Sequence, residues 1–126
     1  MSRVLALDFG DARCGAALSD PTGTVATPLE AIERPGTRRG MERVARLVRA
    51  REVERVVVGL PISLSGDEGP QAAHTREWAA KLADRLEVPV ELHDERLTTR
   101  QAQRAGGSAD LDSRAAAHLL EAYLST

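Results

Sequence analysis

The sequence predicts an α/β fold, a five-stranded mixed sheet flanked by helices. Three observations carry it. An opening block of short apolar runs is separated by turn residues over 3–32 and reads as three consecutive strands. A continuous β-branched run, "VERVVVGLP" at 53–61, lies between two helical patterns, as a buried parallel strand does. The period of the apolar residues then alternates between about 3.6 and 2 through the rest of the chain. The order is βββαβαβα, in which parallel neighbours need crossover connections through helices.

Residues 3–8, "RVLALD", form a buried strand ending at Asp8, and "FGDAR" supplies Gly10 for a tight reversal into the second strand, "CGAALSD". After the "PTG" turn at 21–23, "TVATPLEAI" returns as a third strand, and Pro28 within it predicts an edge position. From Arg39 to Arg51 the period becomes helical. Met41, Val44, Ala45 and Val48 make one stripe, while Arg39, Arg43 and Arg46 point the other way. After the 53–61 strand comes a polar loop, "SLSGDEG", and then a helix with Pro70 in its first turn and an inward stripe of Ala72, Ala79, Leu82, Ala83 and Leu86.

Residues 88–94 form the fifth strand, in which Val90 and Leu92 alternate with Glu91 and His93, so one face should be more buried than the other. It runs out on Asp94, Glu95 and Arg96. Thr98 and Gln101 then spell a capping box that opens a further helix. "RAGGSADL" at 104–111 reads as a flexible, Gly-containing loop before a strong last helix, "DSRAAAHLLEAYL" at 112–124, with Asp112 at its start.

At 126 residues and 42% hydrophobic content, the chain is expected to form one domain, residues 1–126, with its own core. No run approaches the roughly 20 apolar residues of a membrane span, and "MSRVLALDFG" lacks the features of a signal peptide, so a cytoplasmic location is expected. Cys14 is the single cysteine, which excludes an internal disulfide and a cysteine zinc cage and suggests a small buried hydrophobe.

The formal net charge of −2 argues against a protein that simply coats nucleic acid. The cations are nonetheless unevenly placed. Residues 34–55 hold eight Arg against three Glu, and Lys81 is the only lysine. Phe9, Trp78 and Tyr123 are the only aromatics, so no stacking platform for single-stranded bases is visible and any nucleic-acid contact should be mainly to phosphates.

Asp8, Glu95 with Asp94, and Asp112 are far apart in sequence, yet each falls at a strand's carboxyl end or a helix start. Ligand sites of open α/β sheets form at that edge. Clustered carboxylates repel unless cations intervene, so three together suit Mg²⁺ or Mn²⁺, and two such ions can promote phosphodiester hydrolysis. Each acid also has a structural alternative: Asp112 would serve as a helix N-cap. There is no G-x-S-x-G elbow, and His74, His93 and His118 are scattered, as surface or packing residues are.

Four segments in order, "LALDFGDARCGAALSD", "VVVGLPISLSGDEGPQA", "HDERLTTRQA" and "DSRAAAHLLEAYL", together resemble the YqgF/RuvX family, Holliday junction resolvase-like proteins with the RNase H-like fold. The resemblance runs through almost the whole chain. It implies a metal-dependent nuclease, assigned in that family to processing the 5′ end of pre-16S ribosomal RNA, with Mg²⁺ or Mn²⁺ as cofactor. The catalytic and metal-holding acids it implies are Asp8 in "LDFG", Glu95 in "DER" and Asp112 in "DSRAA", with Asp94 a further metal candidate.

The arginines placed for nucleic-acid contact are Arg13, Arg96, Arg39, Arg43 and Arg46. Two departures from the family pattern bear on phosphate grip. Asp11 and Ala12 precede Arg13 where a basic residue is usual, and "GGSADLD" has no lysine before the last acid. The arginines at 38, 39, 43 and 46 could compensate, against the simpler reading of a solvated helix face.

Three other functions stay open at this level. A DNA Holliday junction resolvase would act as a homodimer, because its two cuts are related by symmetry, whereas an RNA-processing enzyme could be a monomer. A non-catalytic ribosome-assembly factor could retain the same shell. The first hairpin also resembles that of actin-like ATPases, which need two such domains around their nucleotide.

Overall fold

The structure, a computed structural model, describes residues 3–63, 65–94 and 111–125. Strands β1 (Arg3–Asp8), β2 (Arg13–Ser19) and β3 (Ala26–Glu33) form the meander, followed by helix α1 (Arg38–Ala50), strand β4 (Val53–Leu60), helix α2 (Pro70–Arg85), strand β5 (Val90–Asp94) and helix α3 (Leu111–Leu124). The sheet order is β3-β2-β1-β4-β5. β1 and β2 are antiparallel, as are β2 and β3, while β1, β4 and β5 run parallel. Pro28 lies on edge strand β3, where a missing N–H costs no ladder bond on the open side.

Strand alternation sorts the core into two layers. Leu5, Leu7, Cys14, Ala16, Leu18, Val56 and Val58 point to one face, where Met41, Val44 and Val48 of α1 and Trp78, Ala79 and Leu82 of α2 cover them. Val4, Ala6, Ala17 and Val57 point to the other, under Ala116, Ala117, Leu119 and Leu120 of α3. β1 and β4 are buried on both faces, which is why they read as unbroken apolar runs rather than alternating ones. Cys14 is buried among the first layer, as its type predicts.

Four sequence expectations shift. Ala83 is exposed, and the inward stripe of α2 includes Thr75 and Trp78 instead. β5 begins at Val90 rather than 88, and its alternation does not bury one face deeply: Leu92, on this edge strand, stays 37% exposed. α3 begins at Leu111, so Asp112 stands at its second position rather than at its cap. The capping box at Thr98 and Gln101 and most of the 104–111 loop lie outside the described residues.

Gly40 interrupts the apolar periodicity of α1 for a steric reason. A Cβ there would lie 2.3 Å from the Arg34 carbonyl oxygen and 2.7 Å from Pro35 Cα, so only glycine lets the helix pass this close to the loop that feeds it. Thr37 caps that helix, its hydroxyl accepting from the Gly40 N–H at 3.1 Å.

Candidate active site at the carboxyl edge of the sheet

β1, β4 and β5 are parallel, so their carboxyl ends, Asp8, Leu60 and Asp94, share one edge of the sheet. The β1–β2 hairpin and the loop after β4 rise from the same edge. Gly10 makes the hairpin possible, since a Cβ there would lie 2.7 Å from the Arg13 carbonyl oxygen. Immediately after Asp8, the Phe9 ring stacks on Trp78 of α2, with centroids 4.7 Å apart. The Trp78 indole in turn donates from Nε1 to the carbonyl of buried Pro35 at 2.9 Å. One aromatic pair thus ties the turn carrying Asp8 to α2 and to the β3–α1 loop.

Side-chain direction separates the candidate acids. Asp8 follows Val4 and Ala6 in the period-2 order and belongs to the face covered by α3. Asp94 follows Val90 in that order and pairs with Leu60, which itself follows Val56 and Val58, so it belongs to the face covered by α1 and α2. Asp8 and Asp94 therefore share an edge but not a face. Arg13 pairs across with Glu33 and follows the phase of Ala17, which places it on the Asp8 face beside Gly15, the residue opposite Asp8.

The start of α3 is locked to the same region by Ser113, a residue that sequence reasoning passed over. Between Cys14 and Ala16 of β2 the register with β3 slips, since Cys14 meets Ile32 and Ala16 meets Leu29, one residue more on the β3 side. Ala16 and Leu29 are the first pair beyond this irregularity. The buried Ser113 hydroxyl binds both residues there: it donates to the Leu29 carbonyl at 2.5 Å and accepts from the Ala16 N–H at 3.5 Å. The backbone of Asp112, one residue earlier, is held against the strands that flank Asp8. The only signal in the sequence is a serine directly after that aspartate.

The loop beyond β4 is internally tied. The Ser63 N–H donates to the Asp67 carbonyl at 2.9 Å, and the Ser65 hydroxyl donates to the Asp67 carboxylate at 3.0 Å. Glu68 receives a two-pronged contact from Arg76 of α2, with both bonds at 2.7 Å. That hydrogen-bonded guanidinium holds the Glu68 carboxyl below its ordinary pKa.

Of the residues singled out in the sequence, Asp8, Arg13 and Asp94 lie along this edge, and the backbone of Asp112 approaches it through α3. Arg39, Arg43 and Arg46 line the outer side of α1. Glu95, Arg96 and the Asp112 side chain lie outside what the structure describes, and among the described residues no three metal-binding side chains converge. The chemistry of the candidate set suits a hard cation, because every candidate donor is a carboxylate oxygen.

The RuvX family, described as Holliday junction resolvase, matches residues 2–126. This chain belongs to the RuvX family. A relative from Syntrophomonas wolfei is 37% identical over 131 aligned positions, covering 97% of this chain and 93% of its own. One from a Nocardioides species is 45% identical, covering 97% and 86%. Both carry the name "Putative pre-16S rRNA nuclease". Among solved structures, Thermus thermophilus RuvC in complex with Holliday junction substrate superposes with a TM-score of 0.62 at 20% identity, covering 99% of this chain and 95% of that one. The fowlpox virus Holliday junction resolvase gives 0.56 at 14%, covering 98% of each. Likeness at such identity is likeness of fold, and the fold of this RuvX chain is RNase H-like.

Proposed function

We propose that this RuvX protein is a metal-dependent nuclease that hydrolyses phosphodiester bonds in processing the 5′ end of pre-16S rRNA, in the cytoplasm, with residues 1–126 as one nuclease domain. The observation that carries the reading is the position of Asp8. It closes the central strand at the carboxyl edge, on the face that α3 covers and beside Arg13. The name shared by the relatives supports the substrate.

Asp8, Glu95 and Asp112 would hold the divalent cations, Mg²⁺ or Mn²⁺. Glu95 is preferred to Asp94 because Asp94 belongs to the face opposite that of Asp8. When bound, such ions lower the pKa of an attacking water and offset charge on the leaving oxygen. The chain's own residues do the rest. The carboxylates fix where the reacting phosphate sits, and Arg13 on the same face offsets its charge. The hairpin, anchored through Phe9, keeps Asp8 from moving with the substrate.

A panel of labelled RNA ending in the 5′ region of pre-16S rRNA, duplex DNA and four-way junctions, each with Mg²⁺ or Mn²⁺, tests the reading. Cleavage of the RNA, abolished by Asp8→Asn, is the expected result. Cleavage of the junction alone, by a dimer, would favour the DNA resolvase that the family description names. Binding to RNA without cleavage under either metal would leave an assembly factor.

A further inference from the structure

The outer side of α1 carries four arginines, Arg38, Arg39, Arg43 and Arg46, none of which makes a hydrogen bond or ion pair to a described residue. Three arginines elsewhere are neutralised: Arg55 by Glu91 at 3.0 Å, Arg76 by Glu68 at 2.7 Å and Arg85 by Glu42 at 3.1 Å. Glu42, the one acid of α1, also faces Arg49. The cluster breaks two local rules at once. Arg39 and Arg43 stand four apart and Arg43 and Arg46 three apart, so like charges are neighbours. Arg38 and Arg39 also occupy the first turn, where the helix dipole is already positive and no acid is present.

The four line an open hollow of about 640 Å³ together with Glu42. Arg43 and Arg46 also line a second hollow, of about 390 Å³, with Arg51 and with Leu29, Glu30 and Ile32 of edge strand β3. Arg38 to Arg46 spans about 12 Å along the helix axis, at about 1.5 Å per residue. The helix starts at the end of the sheet where Asp8 lies, because β3 runs parallel to β1 and feeds α1 directly. A row of unneutralised guanidinium groups leads away from the candidate site without an aromatic ring among them.

We propose that this face of α1 is a phosphate track that holds a base-paired flank of the RNA substrate outside the cleavage site. The proposal rests on the nuclease reading. A base-paired flank suits the surface better than single-stranded RNA, because unpaired bases call for stacking rings and no aromatic residue lines either hollow. An incoming phosphodiester backbone would also relieve the like-charge repulsion that the free protein leaves standing.

The test is the salt dependence of binding, read with EDTA present so that cleavage plays no part. The probe is a fluorescein-labelled RNA stem. Each phosphate contact contributes about 0.9 to the slope of log affinity against log salt for a duplex. Arg43→Gln should lower the slope by about one, and Arg39→Gln/Arg43→Gln/Arg46→Gln by about 2–3. Arg55→Gln, which removes an arginine already paired with Glu91, should leave it unchanged. Thermal melting followed by circular dichroism should show the triple variant no less stable than wild type, and the single variant keeps the test readable if it is not.

An unaltered slope in the triple variant would overturn the track. So would displacement of the RNA stem by poly-glutamate at equal charge, which would point to an acidic protein partner. If wild type binds the stem with the expected slope but cleaves nothing under Mg²⁺ or Mn²⁺, the nuclease reading fails and the track stands. If wild type cleaves and the triple variant binds as tightly with the same slope, the reverse holds.

Discussion

Asp8 and Asp94 end two parallel strands at the same edge of the sheet, yet their side chains belong to opposite faces. Strand register thereby divides two acids that the sequence places alike at strand ends. Asp8→Asn and Glu95→Gln should each reduce cleavage to background in a gel assay with saturating Mn²⁺, with an unchanged melting temperature. Asp94→Asn should retain most activity. Full activity in Asp8→Asn would remove the site from this edge.

Asp112 lies in the first turn of α3, one position inside the helix. An acid there interacts favourably with the helix dipole by about 0.3–1 kcal/mol, with or without a catalytic role. Asp112→Asn should abolish cleavage while lowering stability in urea by no more than about 1 kcal/mol. Retained activity would reduce Asp112 to a structural charge.

Ser113 binds beside the β2–β3 bulge, and replacing it removes a donor to the Leu29 carbonyl and an acceptor for the Ala16 N–H in a buried place. Ser113→Ala should cost about 1–3 kcal/mol in urea denaturation. Because this bond fixes the turn that carries Asp112, kcat should fall more than KM rises. An equal fall on substrates of every length, with KM unchanged, fits a positioning role.

The Trp78–Pro35 hydrogen bond joins residues 43 apart in sequence, and Trp78→Phe keeps a ring for Phe9 to stack on while deleting the N–H. Stability should fall by about 1–3 kcal/mol, since the Pro35 carbonyl loses its indole donor in a buried site. Chemical denaturation checks it. A neutral substitution would mean that water takes over the carbonyl.

Asp20 gives a pH prediction away from the site. Its carboxylate accepts from the Thr22 hydroxyl and from the N–H groups of Val25 and Thr24, in that order of effect, which lowers its pKa from 3.8 to about 2. A depressed folded-state pKa means the turn's contribution is present above about pH 4 and is lost as pH falls toward 2. Asp20→Ala should therefore melt below wild type at pH 6, and the gap should close as both are titrated down to pH 2. A gap that stays constant would show that the charge is irrelevant.

How much of this was legible beforehand follows from which interactions are local. The order of eight elements, the edge position of Pro28, the burial of β4 and the amphipathic stripe of α1 all follow from periodicity and single-residue constraints, and the structure bears them out. The acids were legible as residues at strand ends and a helix start. Their grouping was not, because a face is assigned by strand register, and β5 acquires its register from Leu60 and Val58 of β4 rather than from anything in its own sequence.

The same distinction explains what was misplaced. Ala83 and Leu92 fit an apolar period but stay exposed, because no described element packs over them. Trp78 and Ser113 were not recognised because their partners, the Pro35 carbonyl and the bulged backbone at Ala16 and Leu29, are made only when distant segments meet. The sequence by itself determined the elements, the RuvX family and the carboxylate chemistry on offer. The tertiary structure decided that Asp8 and Asp94 belong to opposite faces and what anchors the segments around Asp8, since strand register and hydrogen bonds across 43, 84 and 97 residues have no local signature.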